Sequence, residues 1–228
     1  MEKLVNEIQE SLNCSDAFVI PIFGGIHIAE SVFITWIIMA IMVIGSILIT
    51  RNLKVTNCSK RQLLLETGYT WLYNFFKDTI GENGTKYIPY MITIIVYIGI
   101  ANIFGIFGMK PPTKDLNVTI ALALMSIVLV QIASIRQKKV KGWLKSFAEP
   151  VAVVAPINIL ELAIRPLSLC MRLFGNVLGA FVIIKLIECL VPVIIPPIFS
   201  LYFDFFDGFI QAYVFTFLTS LYIREAVE

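Results

Sequence analysis

The sequence predicts an all-α polytopic membrane protein with about five membrane helices and one amphipathic helix on the membrane surface. Three observations carry that prediction. The 228 residues are 58% hydrophobic, with a mean hydropathy of +0.84, which is more than a water-soluble core requires. Several runs hold no formal charge over the length a helix needs to cross a hydrocarbon core of roughly 30 Å. Proline, glycine and basic clusters fall where the chain would leave the membrane. A single integral membrane domain over residues 1–228 accounts for the chain, with no room for a large soluble domain.

Residues 1–31 read as an outer N-terminal segment. Met1–Asp16 is polar, and Ala17–Ile26 is too short and too broken by Pro21 and paired glycines to be a cleavable signal. Val32–Thr50 is the first uncharged run. Arg51, Lys54, Lys60 and Arg61 follow it, whereas Glu2, Glu7, Glu10, Asp16 and Glu30 outweigh Lys3 ahead of it. Basic residues are retained on the cytoplasmic side, so the N-terminus is expected outside and Arg51 in the cytoplasm. Over 61–80, Leu65, Tyr69, Leu72, Phe76 and Ile80 share one helical face, with Arg61, Glu66, Lys77 and Asp78 elsewhere. That pattern fits an amphipathic helix on the cytoplasmic surface; a core helix of a soluble domain would show the same moment. Gly81–Gly84 ends it.

The second membrane helix is expected over 87–107 and the third over 117–135, with a short turn containing Pro111 and Pro112 between them. Arg136, Lys138, Lys139, Lys141 and Lys145 then reach the cytoplasm, in agreement with the first helix. A basic run in a soluble protein would suggest nucleic acid; beside a membrane helix it sets orientation and meets anionic lipid, so no nucleic-acid partner is expected. Residues 151–188 are mostly apolar and, as one helix, would measure roughly 57 Å, nearly twice the hydrocarbon thickness. Either the helix breaks at Pro156 or Pro166, or it lies strongly tilted. Val191–Pro197 (VPVIIPP) is a turn, and 198–223 returns to the cytoplasm, ending at Arg224.

Within the long segment, Glu161–Ala180 (ELAIRPLSLCMRLFGNVLGA) places Arg172 far from any other formal charge, between Arg165 and Lys185. A charge at the bilayer centre costs about 2.5–3.5 kcal/mol on insertion scales, so such a residue normally marks an ion path. Glu161, Arg165, Ser168, Arg172, Asn176 and Gly179 recur at steps of three or four, on one helical face. Gly175 and Gly179 leave room there for a neighbouring helix. On the last helix, Asp204, Asp207 and Gln211 lie close to one face. A regular helix aligns Asp204 with Gln211 and turns Asp207 about 60° from the first and about 40° from the second. Both aspartates also lie near the turn, where headgroups could simply solvate them. Glu161 and Arg165 have the favourable order for an intrahelical pair. Lys185 and Glu188 are placed to reach the outer interface.

Other chemistries find little support. Cys14, Cys58, Cys170 and Cys189 show no metal or redox spacing and read as unpaired small apolar residues. His27, the only histidine, precedes the first membrane helix and reads as a bystander. Gly81–Lys86 (GENGTK) lacks the spacing of a phosphate-binding loop. No metal, cofactor or catalytic residue is expected.

The stretch RPLSLCMRLFGN resembles the signature of subunit a of the membrane (Fo) sector of rotary ATP synthases, and Pro111–Leu124 (PPTKDLNVTIALAL) resembles the same family's segment before its third membrane helix. The likeness runs from about Ser31 to Ile223. It implies that the last two membrane helices are long and tilted, and that Arg172 faces a rotating ring of c subunits whose carboxylates it drives to release their ions. Asn176 and Gln211 match the family's asparagine and glutamine, and Asp204 sits where many members carry a histidine or an acid. Phe181 departs from the pattern, since many members place a carboxylate or histidine nine residues after the arginine. The outer path is therefore assigned to Asp204 with Gln211 opposite Asn176, Asp207 being the neighbouring candidate, and the cytoplasmic path to Glu161.

The expected function is then an ion-translocating stator of a rotary ATP synthase, non-catalytic itself. It would carry protons or sodium ions to and from the c-ring, with the b-subunit stalk, other synthase subunits and lipid as partners. Its expected site is a bacterial plasma membrane, crossed several times, with the C-terminus in the cytoplasm. The alternative is a self-sufficient secondary transporter, but the two halves show none of the repeats such proteins commonly carry. An intramembrane hydrolase would need facing carboxylates, and these two aspartates share one helix.

Overall fold

The computed structural model describes residues 16–20, 26–51, 53, 59–107, 111–146, 155–190 and 199–227. A two-stranded antiparallel hairpin, β1 (Asp16–Ile20) and β2 (Ile26–Ala29), precedes the helices and pairs Val19 with His27. It is a small addition to the expected all-α architecture. Among the described residues every regular element that follows is helical, and five helices are long and apolar enough to cross a membrane.

Helix α1 spans Glu30–Thr50. Its outer surface is almost wholly apolar and exposed, with only Ile34 and Ile38 buried, as suits a helix bathed in lipid. Helix α2 covers Lys60–Ile80 and starts where the Ser59 side chain accepts a hydrogen bond from the Gln62 amide. It stops at Gly81, whose φ of 85° is open to glycine and costly for other residues. Of its expected apolar face, Phe76 and Ile80 are buried, while Leu65 and Tyr69 remain exposed. Only the last turns of α2 therefore pack on the bundle.

Helix α3 spans Ile88–Ile103, flanked by 3-10 turns at Glu82–Tyr87 and Phe104–Phe107. A further 3-10 turn at Pro112–Lys114 leads into α4 (Leu116–Ser146), capped by an Asp115 carboxylate oxygen accepting from the Asn117 amide at 2.9 Å. The expected end near residue 135 is passed: α4 continues through Arg136 and Lys138 and breaks at Lys139, whose φ of 58° is not helical. Beyond the break the chain folds back, and the Trp143 indole donates to the Gln131 side chain at 2.9 Å. Twelve residues of straight helix would separate those groups by about 18 Å.

Helix α5 runs Ala155–Leu190 as one helix with Pro166 inside it, so neither Pro156 nor Pro166 ends it. The last membrane segment starts with a π-helical turn, Leu201–Asp207, and continues as α6 (Gly208–Val227). Two apolar clusters hold these helices together. One joins Ile38, Ile98, Ala123, Leu169, Leu173 and Phe215, drawing on α1, α3, α4, α5 and α6. The other joins Phe76, Ile80, Ile88, Met91, Val130 and Ile223 at the Arg51 end of α1. At the opposite, Glu30 end, Ser31 donates to the buried Asp115 carboxylate. Hydroxyls inside α6 bond their own helix, Thr216 to the Ala212 carbonyl and Ser220 to that of Thr216, each at 2.8 Å. Among the described residues no buried side-chain nitrogen or oxygen lacks a partner, which is what a hydrocarbon surround demands.

Candidate functional site

Helix α5 buries one narrow stripe, Leu169, Cys170, Leu173 and Ala180, against the bundle. Cys170 is a free thiol that contacts the Thr119 hydroxyl of α4 at 3.5 Å. Because those residues turn inward, the other side of the helix is left uncovered. Arg172, Gly175 and Asn176 are exposed there, beside Ile164, Leu167 and Met171, each about half exposed or more. A Cβ built on Gly175 or Gly179 would meet nothing within 4 Å. One guanidinium and one amide thus stand on an apolar face with space in front of it. Of the face read from the sequence, Arg172 and Asn176 are together in the open, Glu161 is exposed further along, and Arg165, Ser168 and Gly179 are half-buried.

Across the bundle, the Gln211 side chain is buried and donates a long hydrogen bond of 3.5 Å to the half-buried Asp207 carboxylate. Gln211 and Asp207 stand four residues apart, the spacing at which side chains on a helix meet. Asp204 lies within the π turn that Asp207 ends. The Asp204 side chain is outside the described residues.

The Arg51 end carries a second polar group. The Arg165 guanidinium lies between two carboxylates, Glu161 on its own helix at 3.1 Å and Glu225 of α6 at 2.7 Å. It also sits 4.9 Å above the Tyr222 ring. Arg165, Glu161 and Glu225 line a cavity of about 260 Å³ with Asn158, Ser134, Gln131 and Lys138. The intrahelical Glu161–Arg165 pair is present, and the same guanidinium also bridges two helices.

Sequence reasoning missed Glu225, which lies beyond the last apolar run beside Arg224, where an acid ordinarily reads as solvated. It also missed Asn102 and Thr113, both buried: Asn102 donates to the Gly208 carbonyl at 3.0 Å and accepts from the Thr113 hydroxyl at 2.9 Å. A lone amide inside an uncharged run was the available signal for Asn102. Phe181 has a cation above it, Lys114 Nζ standing 3.2 Å from the ring centre.

Comparison with known proteins gives a consistent picture. The ATP synthase A chain family matches residues 32–224. ATP synthase subunit a of Moorella thermoacetica is 37% identical over 207 residues, 90% of this chain and 94% of that one. A second such subunit from a Bradyrhizobium strain is 34% identical, over 90% of this chain and 91% of the relative. The Propionigenium modestum protein, a sodium ion specific subunit a, is 32% identical over 89% of this chain and 75% of its own length. With an open arginine face on its longest helix and a family match over nearly all its length, the chain belongs to the ATP synthase A chain family.

Proposed function

We propose that the chain is the ion-conducting stator of a rotary ATP synthase, passing protons or sodium ions to and from a ring of c subunits. The observation that carries this reading is the exposed Arg172–Asn176 face with its two uncrowded glycines. A guanidinium cannot lose its proton, so in lipid it requires a counter-charge, and a carboxylate on a neighbouring ring supplies one. An ion enters from outside along Asp207, Gln211 and Asn176, with Asp204 at the mouth, and neutralises a ring carboxylate. After the ring turns, the ion leaves towards the cytoplasm past Glu161 and the cavity it lines with Arg165 and Glu225. Arg172 stands between the two half-channels and keeps ions from leaking straight across. Each charge crossing 100 mV supplies about 2.3 kcal/mol, so several crossings drive each ATP made elsewhere in the complex.

The reading extends to the surroundings. The Glu30 end faces outside and the Arg51 end the cytoplasm of a bacterial plasma membrane, following the distribution of Lys and Arg. The b-subunit stalk and other synthase subunits hold the chain against the ring. The chain performs no chemistry on ATP and needs no cofactor, and the ring's ion site decides between proton and sodium.

The test is Arg172→Ala in the whole complex. Assembly should be retained and ion-driven ATP synthesis lost. Arg172→Lys should restore little, because an ammonium is a compact point charge that deprotonates more readily when desolvated. Near-normal synthesis in the lysine variant would overturn the barrier role.

A further inference from the structure

Three consecutive side chains of one short turn reach three different membrane helices. Thr113 donates to Asn102 of α3, and Asn102 in turn bonds the Gly208 carbonyl at the start of α6. Lys114 covers the Phe181 ring of α5, its Nζ 3.2 Å from the centre. Asp115 accepts from Ser31 of α1 and from the Asn117 amide of α4. Pro112, Thr113 and Asp115 are buried, so the turn is wedged between the helices and does not lie over them. Capping α4 needs only the Asp115 contact with Asn117. The remaining bonds tie together the Glu30 ends of the other helices.

The Lys114 contact has the clearest bearing on ion movement. A lysine at a membrane interface ordinarily extends its ammonium to water, yet here the ammonium rests on an aromatic face, an attraction that strengthens as water is removed. Phe181 lies beyond Ala180, the last buried residue of α5 among those described. It is roughly 13–14 Å along the helix from Arg172. From there to Glu188 the described residues of α5 are half-buried or exposed, and Lys185 bonds Glu188 within the same helix at 2.6 Å. Lys114 thus anchors the loosely held half of α5, while Thr113, through Asn102, anchors the beginning of α6.

We propose that Lys114, seated on Phe181, is a positioning residue that sets the spacing of α5 and α6 across the outer ion path. It keeps Arg172 and Asn176 on one helix in register with Asp207 and Gln211 on the other. The proposal rests on the ion-conducting reading above.

The test uses the assembled synthase in membrane vesicles and measures ion-driven ATP synthesis, with complex content and ATP hydrolysis in detergent as controls. Lys114→Met and Phe181→Leu should each slow synthesis roughly two- to fivefold, the range of a cation–π contact that is not fully desolvated, with both controls unchanged. Lys114→Arg and Phe181→Tyr preserve a cation on a ring and should retain most of the rate. The double variant should be no slower than the worse single one, since both remove the same contact. If Lys114→Met and Phe181→Leu each keep full synthesis, if their losses multiply, or if Lys114→Arg fails as badly as Lys114→Met, the proposal is overturned. Should Lys114→Met fail to assemble, Phe181→Leu against Phe181→Tyr decides the matter alone. Arg172→Ala measured in parallel separates the two levels: continued synthesis in that variant would sink the ion-conducting reading, whereas its loss beside an unaffected Lys114→Met sinks only the positioning role.

Discussion

Arg165 on α5 and Glu225 on α6 meet at 2.7 Å, and Glu161 takes the same guanidinium at 3.1 Å from the other side. The Arg165 side chain is 16% exposed, while those of Glu161 and Glu225 are 52% and 61% exposed, so the cation is the sheltered member. Removing it leaves two carboxylates beside one cavity with their bridging cation gone and Lys138 the remaining cation of the lining. Arg165→Met should therefore slow ion-driven synthesis more than Glu225→Gln, whose half-solvated carboxylate contributes about 0–1 kcal/mol to stability. Synthesis rates and the thermal unfolding midpoint in detergent, measured for both variants, check the order. A larger loss in Glu225→Gln would place the requirement on that carboxylate itself.

The purified chain alone, reconstituted in liposomes, should pass no ions under an imposed potential, because in the proposed mechanism each half-channel ends at a carboxylate that another subunit supplies. Saturable flux from the chain by itself would favour a self-sufficient transporter.

On the outer side, the Asp207–Gln211 contact is the observation that ranks Asp207 first here. Asp207→Asn should slow synthesis more than Asp204→Asn. In a background without the native cysteines, Asp207→Cys and Gln211→Cys should react with a water-soluble thiol reagent added from outside. Phe181→Cys should react little, since Lys114 covers that position. Faster reaction at 181 than at 207 would put the ion path on the other face.

Gly208 packs directly against Asn102 of α3. A Cβ there would come within 2.7 Å of the Asn102 Cβ and 3.4 Å of its amide nitrogen. Gly208→Ala should displace Asn102, weaken its bond to the Gly208 carbonyl and destabilise the chain by about 1–3 kcal/mol. A lowered thermal midpoint in detergent would register this; an unchanged one would mean the helices separate there without cost.

The membrane helices were legible because lipid imposes a coarse rule, long uncharged runs, that needs no knowledge of neighbours. Arg172 was legible for the same reason: one charge in such a run has no bland explanation. The apolar face of α2 was legible too, yet Leu65 and Tyr69 stay exposed while Leu72, Phe76 and Ile80 pack on the bundle, because the sequence shows a face without showing what covers it. Asp204 and Asp207 were ranked by regular 100° steps, whereas Leu201–Asp207 is a π turn, set by backbone bonds that residue types do not encode. Glu225 and Lys114 could not be placed from spacing, since their partners are 60 residues away in Arg165 and far along the chain in Phe181.

Pro166 gives α5 a mechanical character. Proline offers no amide hydrogen, so the rung that would tie residue 166 to the Leu162 carbonyl is missing. Bending a helix works against its rungs, and α5 is therefore most compliant at that point. Arg172 sits one and two-thirds turns beyond it, roughly 9 Å along the axis. With the Arg165 bridge to Glu225 fixing one side and Lys114 the other, the stretch between behaves like a leaf spring supported at both ends. In the proposed complex, a sideways push from a passing ring would be taken up as recoverable flexure beneath the arginine, with the guanidinium following the load.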